Sequence, residues 1–318
     1  MMAMFRLVPI PLVLAGLVIA AQPAPQAQSP APPAGTFNVA HRGASAYAPE
    51  HTLAAYTLAM EQGADYVEQD LGLTSDGVLV CLHDLSLERT TNVEEVFPDR
   101  ATVTTENGQE RRRWYVDDFT LAEIKRLDAG SWFDASFAGT RVATFQEAID
   151  LVKGKAGIFP ELKGPDRLRA KGLSLEDAVV AALEKNGLTN ATVNGRPAVL
   201  LQSFDEPSLR TLARRLPAVP RTFLIGAPAV AARWLNPDGL REMKAFATGI
   251  GPARGLVDAR PALVKDAHAA GLTVVPWTFR AQRGSAAEKA TATADMRRFV
   301  ETYKVDGLFT DNPDLFPR

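Results

Sequence analysis

The chain has 318 residues, 46% of them hydrophobic and 23% charged, a balance that fits a globular protein with a sizeable core and excludes a low-complexity or fibrous chain. Thirty-five Lys and Arg against 37 Asp and Glu leave a formal charge of -2, so no general field attracts a polyanion such as nucleic acid and any anion site has to be local. The single cysteine, Cys81, excludes an internal disulfide framework and a cysteine-rich zinc site, and its apolar neighbours suit a small buried hydrophobe.

Arg6, the apolar stretch 7–20 and the small residues that end it predict a secretory signal peptide over 1–21, hence a periplasmic or secreted protein. The stretch is shorter than the roughly 20 residues a span requires and contains Pro9 and Pro11, so no integral span is expected after cleavage. Residues 22–35, rich in Pro, Ala and Gln, read as a flexible leader. Residues 36–318 then form one domain in which short β-type runs alternate with amphipathic stretches, the pattern of parallel strands and crossover helices.

Strands are predicted at 37–40, 66–71, 78–82, 157–162, 198–202, 221–225, 255–257, 272–276 and 307–309, and helices at 53–60, 121–127, 175–185, 207–216, 261–270 and 296–303. Eight or nine strands suit a closed (β/α)₈ TIM barrel, with 78–82 returning beside 66–71 as a hairpin around Ser75, Asp76 and Gly77; a doubly wound open sheet is the alternative. A polar insertion over about 90–118 follows the second strand unit and is too long for a routine connection, as a lid or a disordered segment would be. Its Arg111, Arg112 and Arg113 read as a solvated face. Trp132, Phe133 and Phe137 are expected to pack against a neighbouring helix, with lipid docking as the lesser reading.

Polar residues collect at the downstream ends of the strands, where barrel enzymes place their sites. His41, Arg42 and Gly43 follow the first strand. Glu68 and Asp70 share one face of the second, so they are either a metal-binding pair or an exposed pair at a strand end. Glu161 and Lys163 repeat that spacing and form either a salt bridge or a third metal carboxylate beside a phosphate-binding cation. Oxygen-only ligands favour calcium or magnesium over zinc. His83 and Asp84 close 78–82; His41, His51 and His83 share this upstream constellation, whereas His268 lies on a predicted helix and reads as a surface residue. Two histidines beside a metal can supply the general acid and base of phosphodiester cleavage. Phe204 and Trp277 stand at strand ends, either walling a ligand or simply buried.

His41-Arg42-Gly43-Ala44, Ala48-Pro49-Glu50-His51-Thr52, Gly63-Ala64-Asp65-Tyr66-Val67-Glu68-Gln69-Asp70, Asp76-Gly77, His83-Asp84 and Pro160-Glu161-Leu162-Lys163 together resemble the glycerophosphodiester phosphodiesterases. Gln202-Ser203-Phe204-Asp205, Pro276-Trp277-Thr278 and the run from Asp306 to Pro313 are similar to that family's later strand ends. The resemblance implies a (β/α)₈ barrel and a divalent metal on Glu68, Asp70 and Glu161. It implies His41 and His83 as the acid and base, Arg42 and Lys163 on the phosphate, and Glu50, Gln202 and Trp277 in the substrate site. His51 in the Pro49-Glu50-His51-Thr52 segment and the Phe97-Pro98-Asp99-Arg100 segment look like the periplasmic, calcium-using branch, so calcium is expected ahead of magnesium. The implied substrate is a small glycerophosphodiester, cleaved to sn-glycerol 3-phosphate and an alcohol. The competing readings are a phospholipase D-like enzyme acting on lysophospholipids or sphingolipids, and an exported binding protein without catalysis.

Overall fold

Phe37, Val39, Tyr66, Phe159, Leu200, Val275 and Phe309 pack together in the centre of a ring of parallel strands. The computed structural model describes residues 35–281 and 284–318; the signal-peptide reading over 1–21 and all but Gly35 of the leader fall outside them. In chain order the strands are β1 (Phe37–Ala40), β2 (Tyr66–Leu73), β3 (Leu79–Cys81), β4 (Thr102–Glu106), β5 (Gln109–Arg113), β6 (Gly157–Leu162), β7 (Thr192–Val193), β8 (Arg196–Pro197), β9 (Leu201–Ser203), β10 (Arg221–Ile225), β11 (Gly249–Pro252), β12 (Thr273–Val274) and β13 (Gly307–Thr310).

Eight of them run parallel in the order β12-β11-β10-β9-β6-β2-β1-β13. The amides of Asp306 and Phe309 donate to the carbonyls of Val274 and Pro276, both at 3.0 Å, which draws β13 against the β12 side. This nearly closed barrel rules out the doubly wound open sheet. β3 folds back antiparallel on β2 through a turn at Gly77, whose φ of 80° suits glycine, as the 78–82 hairpin reading expected.

One strand prediction is wrong. Residues 255–257 belong to a helix, Arg254–Ala259, and the strand of that unit is β11, just upstream. Its sequence, Gly249-Ile250-Gly251-Pro252, lacks the β-type run that marks the other strands because the barrel there has no room for side chains. A Cβ on Gly249 would stand 2.2 Å from Thr273 Oγ1, and one on Gly251 would stand 2.6 Å from Leu224 Cδ2. Helices Phe145–Val152, Pro228–Trp234 and Pro237–Met243 were also not predicted, and the last long helix begins at Ala286 rather than 296.

The connection between β3 and the Phe145–Val152 helix carries the β4–β5 hairpin and has its own apolar cluster, including Leu87, Val93, Trp114, Phe119 and Leu127. Arg111 and Arg112 lie exposed on β5, as read, with Arg112 stacked 4.9 Å from the centre of the Trp114 ring, whereas Arg113 is half-buried and pairs with Glu88 at 2.8 Å. Among the described residues no helix is long and apolar enough to cross a membrane.

Candidate active site

Strand alternation delivers the site. Residues two apart on a strand point the same way, so the columns that begin as apolar lumen filling end as polar groups at the downstream rim. Phe37 and Val39 lead to His41; Tyr66 leads to Glu68 and Asp70; Phe159 to Glu161 and Lys163; Leu200 to Gln202 and Phe204; Val275 to Trp277; Phe309 to Asp311. The lower residues form the packed floor, and the upper ones line a cavity bounded by His41, Arg42, Glu68, His83, Glu161 and Lys163 on its polar side. Gln202, Phe204, Leu224, Trp277 and Phe309 form its other wall.

Glu68 and Asp70 are 1% and 0% exposed, and β2 pairs with β6 so that Asp70 stands opposite Glu161. Burial and the neighbouring Asp70 push Glu161 up to about 8, and the same two causes push Glu68 well above the ordinary carboxylate range. For Asp70 burial works in the same direction, but Lys163, His51 and Arg42 outweigh it and hold the group well below its usual value. Lys163 Nζ lies 3.0 Å from Glu161 and 3.8 Å from Asp70. Arg42 donates its backbone N–H to Glu68 Oε2 at 2.6 Å, a direction set by the left-handed backbone at Arg42, φ 58°.

The site fits a hard divalent cation. Asp70 Oδ1 and Gln202 Oε1 are buried acceptors with no hydrogen-bond donor. Burial and the neighbouring Asp70 disfavour the ionised forms of Glu68 and Glu161, a penalty that added positive charge would relieve, and the three carboxylates offer only oxygen donors. His51, Glu68 and Asp70 also offer ligand atoms within 4.8 Å of one another, a possible metal-binding triad.

Both rim histidines are held from behind. His41 Nδ1 lies 2.7 Å from Asp311 Oδ1, and His83 Nδ1 lies 2.6 Å from Asp84 Oδ1. Each carboxylate favours the Nδ1–H tautomer, which leaves Nε2 of each ring for the cavity. The support continues outward. Asp84 accepts from Arg89 Nε at 2.5 Å, Arg89 reaches Glu50 at 2.6 and 3.0 Å, and Glu50 meets Arg42 Nη1 at 3.0 Å. Its hydrogen bond from His83, aided by Arg89, lowers the Asp84 carboxyl. Burial raises Glu50, but Arg89 and Arg42 outweigh it and bring it down to about 2.

His51 sits behind the carboxylates and is fully enclosed. Its Nε2 is 2.8 Å from Asp70 Oδ2 and its Nδ1 is 3.0 Å from the Tyr56 hydroxyl. Burial lowers its pKa despite Asp70, so the ring is neutral; it then carries its proton on Nε2, and the Tyr56 O–H donates to Nδ1.

Of the ten site residues singled out from sequence, nine line the two adjoining cavities, and Asp70 is buried behind them, within reach of Lys163 and His51. Trp277 anchors its indole N–H on Gly251 O at 2.7 Å and meets Phe204 edge-on at 5.7 Å. Gln202 Nε2 reaches Phe159 O at 3.3 Å and Glu68 Oε1 at 3.4 Å. Glu50 lies farther out, bridging two arginines. Sequence reasoning gave no role to Asp311, Arg89 or Arg280. Asp311 is 270 positions from its histidine; it stood within the Asp306 to Pro313 run, two residues beyond Phe309 on a lumen column, but nothing local paired it with His41. Trp132 and Phe133, expected against a helix, instead border a second cavity adjoining the first. His268 is exposed on its helix, as read.

Comparison with known proteins places this geometry. Residues 41–315 match the glycerophosphoryl diester phosphodiesterase family. The glycerophosphodiester phosphodiesterase of Bacillus subtilis strain 168 is 33% identical over 289 residues, covering 88% of this chain and 85% of its own. That of Haemophilus influenzae is 29% identical, with 87% of each chain covered. Among solved structures, the glycerophosphodiester phosphodiesterase of Agrobacterium tumefaciens superimposes with a TM-score of 0.65 at 28% identity, over 88% of this chain and 98% of the other. An Oleispira antarctica phosphodiesterase in complex with the product sn-glycerol-3-phosphate gives 0.65 at 25% identity, over 88% and 94%. With the match running across nearly all of the described barrel and its rim, the chain belongs to the glycerophosphoryl diester phosphodiesterase family of enzymes.

Proposed function

We propose that this protein is an exported, metal-dependent hydrolase that cleaves glycerophosphodiesters to sn-glycerol 3-phosphate and an alcohol, with His41 and His83 as general acid and base. The observation that carries the proposal is the convergence of Glu68, Asp70 and Glu161 beside two histidines whose Nδ1 atoms are each held by an aspartate.

Glu68, Asp70 and Glu161, with Gln202 Oε1 as a further oxygen, would hold the cation, which when bound supplies positive charge to the phosphate oxygens. Calcium is proposed ahead of magnesium because several protein oxygens converge, whereas magnesium usually keeps much of its water. Arg42 and Lys163 bind and orient the non-bridging oxygens. One histidine, through its free Nε2, removes a proton from the attacking oxygen, that of a water or of the glycerol 2-hydroxyl (whose cyclic phosphate water then opens), as that oxygen bonds to phosphorus. The other, protonated, delivers a proton to the leaving alkoxide as the P–O bond to the alcohol breaks. Asp311 and Asp84 hold the rings in the tautomer this exchange requires and stabilise the imidazolium form.

His51 is assigned to orient Asp70 rather than to bind the metal, because both its nitrogens are already hydrogen-bonded. Neither the lysolipid-directed activity nor the silent binding protein draws support from the site, which retains each charged group. The test is removal and return of metal. Exhaustive chelation, checked by elemental analysis, abolishes release of sn-glycerol 3-phosphate and calcium restores it; full turnover without metal defeats the proposal.

A further inference from the structure

Beyond the inner cavity lies a wider one, about 870 Å³ of open space against about 430 Å³, and His41, Arg42 and Thr278 line both. A diester whose phosphate rests on Arg42 can therefore extend one ester arm into each. The inner arm would lie beside Phe204, Leu224, Trp277 and Phe309. The outer arm meets different chemistry.

Trp132, 41% exposed, forms one wall of the outer cavity with Phe133 edge-on at 5.7 Å. Its indole N–H is used on Ala129 O at 2.9 Å, so the ring face is what remains for a ligand. The loop presenting it is braced. Asp128 accepts from the amides of Gly130, Ser131 and Gly139 and from the Ser131 hydroxyl, at 2.7 to 2.9 Å. Opposite stand Arg89 and Arg280, both exposed, with Glu50 and Asp311.

The charges here are already matched. Glu50 is shared by Arg42 and Arg89; Asp311 by His41 and Arg280, the latter at 3.3 Å. Each acid lining the cavity is held by a guanidinium, and Arg89 is held by Asp84 as well, so no unpaired acid remains for an ammonium group. A neutral polyol suits the same walls: vicinal hydroxyls accept from guanidinium N–H groups and donate to carboxylates, while the C–H face lies on an aromatic ring.

Resting on the proposed hydrolytic reading, we propose that the outer cavity is a leaving-alcohol subsite that selects neutral polyol head groups, such as glycerol or inositol, over choline and ethanolamine, with Trp132 as the specificity-determining residue. The experiment compares kcat/KM for glycerophosphoinositol, glycerophosphoglycerol, glycerophosphocholine and glycerophosphoethanolamine, in the wild type and in Trp132→Ala. The polyol diesters are expected to lead by about tenfold, and Trp132→Ala to collapse that ratio through the polyol substrates. Equal or better turnover of the choline diester, or a ratio untouched by Trp132→Ala, overturns the subsite. If no diester releases sn-glycerol 3-phosphate, the hydrolytic reading fails by itself. Calorimetric titration of glycerophosphoinositol and glycerophosphocholine into the wild-type protein then still ranks the head groups: tighter binding of the inositol diester upholds the subsite, and equal affinity overturns it.

Discussion

Proton release on metal binding is the sharpest consequence of the buried acidic cluster. Burial and Asp70 raise Glu161 to about 8 from an ordinary 4.5, and Glu68 lies well above the same reference. A carboxyl titrating near 8 is about nine-tenths protonated at pH 7, so a cation that needs the ionised form has to displace about one proton from Glu161. Calorimetry of calcium binding at pH 7 in buffers of different ionisation enthalpy should therefore report on the order of one proton released per ion. Apparent affinity should climb roughly tenfold per pH unit for each displaced proton between pH 6 and 8. The stability of the metal-free protein runs the other way. Because the folded pKa of Glu161 is raised, its stabilising contribution is complete below about 4.5 and is lost as the pH rises through about 8. Melting with and without calcium should thus diverge increasingly towards alkaline pH. Calcium binding with no proton release and no pH dependence would refute the reasoning, because the three carboxyls would then already be ionised.

Other substitutions probe the supports. His51→Leu removes the hydrogen bond to Asp70 and should weaken calcium binding by about 10–100-fold in a calorimetric titration, short of the complete loss expected when a ligand such as Glu68 becomes Gln. Complete loss in both would make His51 a ligand. Asp311→Asn unseats the His41 tautomer and should lower kcat on the order of 10²-fold with an altered pH–rate profile and an unchanged melting temperature; an unchanged profile counts against the paired aspartate. Arg221 is 6% exposed, and its guanidinium donates to the carbonyls of Leu216, Val219 and Phe246 without an acidic partner. Arg221→Met leaves those carbonyls unsatisfied and should cost about 3 kcal/mol in urea unfolding, with catalysis intact. Gly251→Val, whose side chain meets Leu224 inside the barrel, should prevent accumulation of folded protein, as judged by circular dichroism.

Sequence by itself determined the alternation of strand and helix, the hairpin at Gly77, and which residues stand at the strand ends, because those follow from period-two patterning and local turn chemistry. It also carried the upstream acids and histidines, since strand alternation puts Glu68 beside Asp70 on one face wherever the strand goes. It could not place β11, whose glycines are demanded by Thr273 and Leu224 on neighbouring strands rather than by anything within the strand. Only the tertiary structure decided that Asp311 stands behind His41, that Arg89 and Glu50 connect Asp84 to Arg42, and that Trp132 faces a cavity. These pairings arise where the barrel closes and the long β3-to-β6 connection folds back over its rim. Closure brings together residues as much as 275 positions apart, and no local pattern encodes which of them will meet.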